Sequence, residues 1–145
     1  MHKMDSTPKI VTIVGMVLEA LGALGMFFGA YILGTFMSRE FFLELDPTIP
    51  LDELDFIINL YGTIASVLTV VGSILIIIFL VNVFLFSSLI RGKFSEETAR
   101  KIYIYQFVWG IFNVLFNTIT GILYIVSGYS GMKGIKEEKE VREGI

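Results

Sequence analysis

The chain has no cysteine and a single histidine, His2. That removes disulfides, thiol nucleophiles and cysteine metal sites together, and it leaves a histidine-based metal centre or catalytic triad without its residues. Near the chain terminus, His2 itself is expected to be a frayed side chain. Charge is scarce as well. Asp, Glu, Lys and Arg make up 17% of the 145 residues, against about 25% in an average soluble domain. A water-soluble globule of this size has too much surface for so few charges. The shortage argues against disorder, a coiled coil, a nucleic-acid binder or an ordinary cytosolic enzyme. No catalytic, cofactor-binding or metal-binding residues are expected, nor any nucleic-acid partner, and no small-molecule ligand is indicated. What remains is apolar: 54% of the chain by composition, with a mean hydropathy of +0.76. The expectation is an all-α, integral membrane helical bundle in which the lipid bilayer is the main partner.

The few charges locate the spans. Between Ile10 and Ser38 the only ionisable acid or base is Glu19; Phe56–Ile90 has none, and neither does Ile102–Met132. A helix needs about 20 apolar residues to cross a hydrocarbon core of about 30 Å. No stretch alternates with period two for long, which argues against a β-barrel, and a backbone that must satisfy itself in lipid then has only the helix. The first apolar run is too long for a signal-peptide core and carries Glu19, so it is expected to be a permanent anchor.

Basic residues set the polarity. Lys3 and Lys9 precede the first span. Arg91, Lys93, Arg100 and Lys101 follow the second, and Lys133, Lys136, Lys139 and Arg142 follow the third stretch. Only Arg39 lies elsewhere, in a loop that also holds the acids Glu40, Glu44, Asp46, Asp52, Glu53 and Asp55. The positive-inside rule puts both termini and the 91–101 loop in the cytoplasm and the acidic loop outside. Residues 102–132 must then cross twice. As one helix they would run about 46 Å and need a tilt near 50°, beyond the usual range of about 0–40°. A short hairpin turning at Asn117-Thr118 resolves this, with Ser95 as N-cap and Glu96 and Glu97 in the first turn. The alternative, one steeply tilted helix, draws on the near-helical spacing of Gly110, Asn113, Asn117, Gly121, Tyr124, Gly128 and Gly131.

The expected layout is a single bundle domain over 1–134, with four spans at about 10–37, 57–90, 98–116 and 118–132 and an outer acidic loop at 38–56. Residues 135–145 form a charged cytoplasmic tail, a solvated and fraying helix end. Asp46-Pro47-Thr48-Ile49-Pro50 is the clearest turn, Asp52, Glu53 and Asp55 begin an early turn of the second helix, and Gly92 is a C-cap.

Glu19 is the sharpest single feature. It lies about ten residues beyond Lys9, hence about 15 Å deep, where a carboxylate must be neutral, paired or beside water. At 100° per residue Gly15, Gly22 and Gly29 fall within about 40–80° of it, so it flanks the glycine face. Read one way it is a protonatable transport or sensing site; read the other way it is a polar tie between helices, the reading preferred here. Candidate partners are Asn82, Gln106 and Asn113, amides that bridge helices in lipid. Close packing is expected of Gly22, Gly25 and Gly29, and of Gly62, Ala65, Ser66, Thr69 and Ser73 on the second helix, because small residues let backbones approach. The six outer acids lack EF-hand spacing and read as a solvated loop. Tyr31, Tyr61, Tyr103, Tyr105 and Tyr129 read as interface anchors, and Trp109 as packed inside.

A basic start, a glycine-rich first helix, an acidic loop with proline, and the run KIYIYQFVWGIFNVL through TGILYIVSG to a terminal MKG resemble a family of small four-span membrane proteins of Gram-positive bacteria known only as a domain of unknown function. The resemblance implies a four-helix bundle with both termini inside, and it implies no activity. Four-span claudin-type proteins differ, because the outer loop here has no cysteine pair. The function expected is that of a non-enzymatic, multi-pass protein of the bacterial plasma membrane, an accessory, stress-related or immunity-type subunit working by self-association or contact with other membrane proteins. The alternative is a small oligomeric channel or proton-coupled transporter that uses Glu19.

Overall fold

A computed structural model describes residues 1–144 and is all-α, with helix over 85% of the chain. Among the described residues five helices follow one another: α1 (Ser6–Phe36), α2 (Arg39–Leu45), α3 (Leu51–Ile90), α4 (Glu96–Val114) and α5 (Thr118–Glu143). Their ends are chemically marked. Ser38 and Ser95 cap α2 and α4 by accepting from the amides of Phe41 and Thr98, as short hydroxyl side chains do at helix starts. Past the end of α3, Gly92 takes φ +66°, a left-handed backbone that favours glycine. Two helices, α1 and α3, are long and apolar enough to cross a membrane.

The chain divides into two compact units. The first comprises residues 1–20 and 78–144 and holds parts of four helices. Its buried positions form one stripe per helix: Thr12, Gly15 and Glu19 on α1; Asn82, Phe86 and Leu89 on α3; Ala99, Ile102, Tyr103, Gln106, Gly110 and Asn113 on α4; Thr120, Gly121, Tyr124, Ser127, Gly128 and Gly131 on α5. Steps of three and four residues put each set on one helical face. Much of what faces inward is small or polar, while Leu80, Phe84, Ile104, Val108, Ile111, Ile122 and Val126 are exposed. Phe86, Leu89, Ile102, Tyr103 and Tyr124 still form a hydrophobic cluster inside, so what departs from a water-soluble domain is the number of large apolar residues left outside.

The α4–α5 pair is an antiparallel hairpin built on glycine. A Cβ on Gly110 would lie 2.8 Å from the Gly121 carbonyl oxygen, one on Gly121 would lie 2.4 Å from the Val114 nitrogen, and one on Gly128 would lie 2.7 Å from the Tyr103 carbonyl. The spacing that suggested one continuous helix is therefore the seam between two helices facing each other. The break lies at 115–117, where Asn117 caps α5 by accepting from the amide of Thr120. The tail is a solvated helix end: α5 continues to Glu143 and closes on Gly144, carrying exposed i,i+4 ion pairs from Lys133, Lys136 and Lys139.

The second unit, residues 21–77, comprises the later part of α1, the short helix α2 and the earlier part of α3. Gly72 fits against Met26 and Phe27, where a Cβ would come within 3.2 Å, and Gly29 meets Leu68. Phe42 of α2 stacks on Tyr61 at 5.8 Å, and Arg39 pairs with Asp55. The segment expected to be loop thus carries the short helix α2, and α3 starts at Leu51 with Asp52 and Glu53 in its first turn.

Candidate functional site

The inward stripes of the first unit meet at Glu19, which is 6% exposed. Its Oε1 accepts from Asn82 Nδ2 of α3 at 2.7 Å and from Trp109 Nε1 of α4 at 2.9 Å. Its Oε2 accepts from the Tyr124 hydroxyl of α5 at 2.6 Å. The amide and indole nitrogens can only donate, so the oxygen they share is an acceptor. One carboxyl on α1 therefore holds one side chain from each of the other three helices. Asn82 is fixed in turn, because its Oδ1 accepts from the Tyr105 hydroxyl at 2.6 Å. The ring of Phe86 lies 5.3 Å from that of Tyr124 and 6.3 Å from that of Tyr105, filling the space beneath the hydroxyls. Gly15 makes room for Tyr124: a Cβ there would stand 2.5 Å from its ring.

A second polar layer lies about two turns toward the start of α1. Gln106 Nε2 donates to Thr12 Oγ1 at 2.9 Å, Thr12 Oγ1 and Ser127 Oγ are 2.6 Å apart, and Ser127 Oγ donates to the Pro8 carbonyl at 3.0 Å. Because the Ser127 proton goes to a carbonyl, Thr12 is the donor to Ser127, and the chain runs in one direction from α4 to α1 to α5. At the hairpin turn Asn117 Nδ2 reaches the Leu18 carbonyl of α1 at 3.2 Å, so the residue that caps α5 also ties it to α1.

A third cluster closes the end of the unit. His2 is buried, its amide donates to the Phe94 carbonyl at 3.0 Å, its Nε2 is 3.1 Å from the Tyr103 hydroxyl and its Nδ1 is 3.7 Å from Glu138. Arg142 of α5 pairs with Glu96 of α4. The expectation of a frayed His2 is corrected. Position in the chain alone points to fraying, whereas the partners that hold the residue lie at 94, 103 and 138.

Of the expected partners of Glu19, the structure brings Asn82 to it and sends Gln106 to Thr12. Asn113 is buried with its Nδ2 3.5 Å from its own helix's Trp109 carbonyl. Trp109 and Tyr124 were not anticipated as ligands of the carboxyl; their signal is that an aromatic with a polar tip, once buried, needs a partner. Tyr103 and Tyr105, read as interface anchors, belong to the buried clusters, whereas Tyr31 and Tyr129 are exposed.

The small residues expected to pack in the second unit divide. Gly29 has its contact, Gly22 and Ala65 are half-buried, and a Cβ on Gly25 or Gly62 would meet nothing within 4 Å. The hydroxyls of Ser66, Thr69 and Ser73 bond back to the carbonyls of Gly62, Ala65 and Thr69 on their own helix and are exposed. Among the acids, Asp55 holds Arg39, while the Thr48 hydroxyl and amide hold the Asp46 carboxyl below its ordinary range. Glu40 and Glu44 lie on α2 and are exposed, and among the described residues no three His, Cys, Asp or Glu side chains converge as a metal site would require. Comparison with protein families, curated proteins and solved structures returned no match.

Proposed function

We propose that this chain is a multi-pass protein of the bacterial plasma membrane that works through contacts with other membrane proteins or with itself, as an accessory, stress-related or immunity-type subunit, and performs no chemistry of its own. In this reading α1, α3, α4 and α5 cross the bilayer, both termini are cytoplasmic and α2 lies outside. Its membrane residence draws on two helices of spanning length and composition and on the many large apolar side chains left exposed while polar ones such as Thr12, Glu19, Asn82 and Gln106 are buried. For the common side of the termini, the support is the meeting of His2, the 94–96 segment and Glu138 and Arg142 in one cluster, together with ten of eleven bases on that side.

The observation that carries the non-catalytic reading is the occupancy of Glu19. Both carboxyl oxygens are engaged by neutral donors from three helices, which favours a structural tie over a carboxyl that exchanges protons with water. Purified protein in liposomes tests this. Proton and cation flux are expected to match empty vesicles and to be unaltered by Glu19→Gln. Flux that depends on Glu19 would replace this reading with the transporter.

A further inference from the structure

The end of the first unit that gathers the basic residues contains a groove of about 690 Å³ along the later part of α5 and the first turns of α4. Its lining changes character along its length. Tyr129 and Met132 lie at the end nearer the apolar run of α5, and Lys133, Lys136 and Lys139 continue along the same helix, with Arg100 contributed by α4. Two acids, Glu137 and Glu140, also line it and leave the groove net positive by two. The lysines are only partly engaged. Lys133 and Lys136 stand 3.5 and 3.7 Å from Glu137 and Glu140, and Lys139 stands 3.6 Å from Glu143, all on exposed side chains. Such pairs are weak, and each ammonium keeps donors to spare. Arg100 is exposed and makes no ion pair among the described residues.

We infer that this groove binds the headgroup of an anionic phospholipid. The shared chemistry is a phosphate monoanion or diester met by one guanidinium and two or three ammonium groups. What selects a lipid over free phosphate is the continuation into Tyr129 and Met132, an apolar edge where acyl chains leave the headgroup. The volume lies within the range of about 300–1,000 Å³ typical of small-ligand sites, and basic pockets between membrane helices on the cytoplasmic side are suited to such headgroups. The inference rests on the membrane reading above, which sets this end of α5 at the cytoplasmic interface.

Full-length protein in neutral detergent, mixed with phosphatidylglycerol or phosphatidylcholine and examined by native mass spectrometry, tests it. One phosphatidylglycerol is expected to stay bound under conditions that strip phosphatidylcholine. Arg100→Gln with Lys136→Gln is expected to weaken that retention about tenfold, whereas Arg91→Gln with Lys93→Gln, the same charge change outside the groove, should leave it within about twofold. Equal retention of the two lipids, or equal loss in both double variants, overturns the site. Displacement of the lipid by inorganic phosphate at equal concentration overturns the lipid assignment. Flotation with pure phosphatidylcholine vesicles reads the membrane reading separately: a chain that inserts but ignores phosphatidylglycerol loses only the site, and one that does not insert loses both.

Discussion

The side chains around Glu19 differ in what each removal leaves behind. Trp109→Phe deletes one donor and leaves Oε1 still bonded to Asn82, so the carboxyl stays satisfied at both oxygens. Tyr124→Phe leaves Oε2 with no partner and the ring space unchanged. Hydrogen bonds between helices in membranes contribute about 0.6 kcal/mol on average, and an orphaned buried acceptor costs about 1–3 kcal/mol. Tyr124→Phe is therefore expected to destabilise by about 1–2 kcal/mol and Trp109→Phe by less than about 1 kcal/mol; equilibrium unfolding in mixed micelles measures the order. At this scale the sequence made Glu19 and Asn82 legible because both are polar at matching depth. It hid Trp109, Tyr105 and Tyr124, because a helical position gives depth and facing but not which neighbour supplies the opposite face. His2 was hidden for the same reason, its partners being 92 or more residues away.

Among the helices, two arrangements of small residues look alike in sequence and act differently. Gly110 on α4 and Gly121 and Gly128 on α5 face another backbone. On α3 Gly62 faces open space, and the neighbouring hydroxyls bond to their own helix. Adding one methyl separates them. Gly121→Ala must push against the Val114 nitrogen and the Gly110 carbonyl, neither of which can move as a side-chain tip would, and overpacking costs about 1–3 kcal/mol even against yielding neighbours. Gly62→Ala meets nothing and gains helix propensity of up to about 1 kcal/mol. Thermal melts in detergent should show Gly121→Ala well below the parent and Gly62→Ala at or above it. Helix ends were readable from Ser95, Gly92 and Asn117, whose chemistry is local. The hairpin was ambiguous because a seam of glycines between two antiparallel helices repeats with nearly the same period as one helical face.

For the whole chain, the proposed topology rests on the placement of a few charges, with bases at both termini and the 91–101 loop and six acids between Ser38 and Phe56. The absence of cysteine makes this directly measurable. Single cysteines at Lys3, Thr48 and Lys139, all exposed positions, should divide under a membrane-impermeant maleimide applied to intact cells. Thr48→Cys is expected to label at once; Lys3→Cys and Lys139→Cys should label only after permeabilisation. Labelling of Lys139→Cys from outside would mean that the α4–α5 hairpin does not return to the side it left.

That the Glu19 carboxyl is a tie between helices is probed directly by comparison of Glu19→Ala with Glu19→Gln in detergent unfolding. The glutamine keeps an oxygen for Asn82 and Trp109 and offers its amide to the Tyr124 hydroxyl. The alanine leaves three donors without an acceptor, those of Asn82 and Tyr124 buried and that of Trp109 half-buried. Glutamine is expected to stay within about 1 kcal/mol of the parent and alanine to fall by about 2 kcal/mol or more. An alanine variant as stable as the parent would contradict the account.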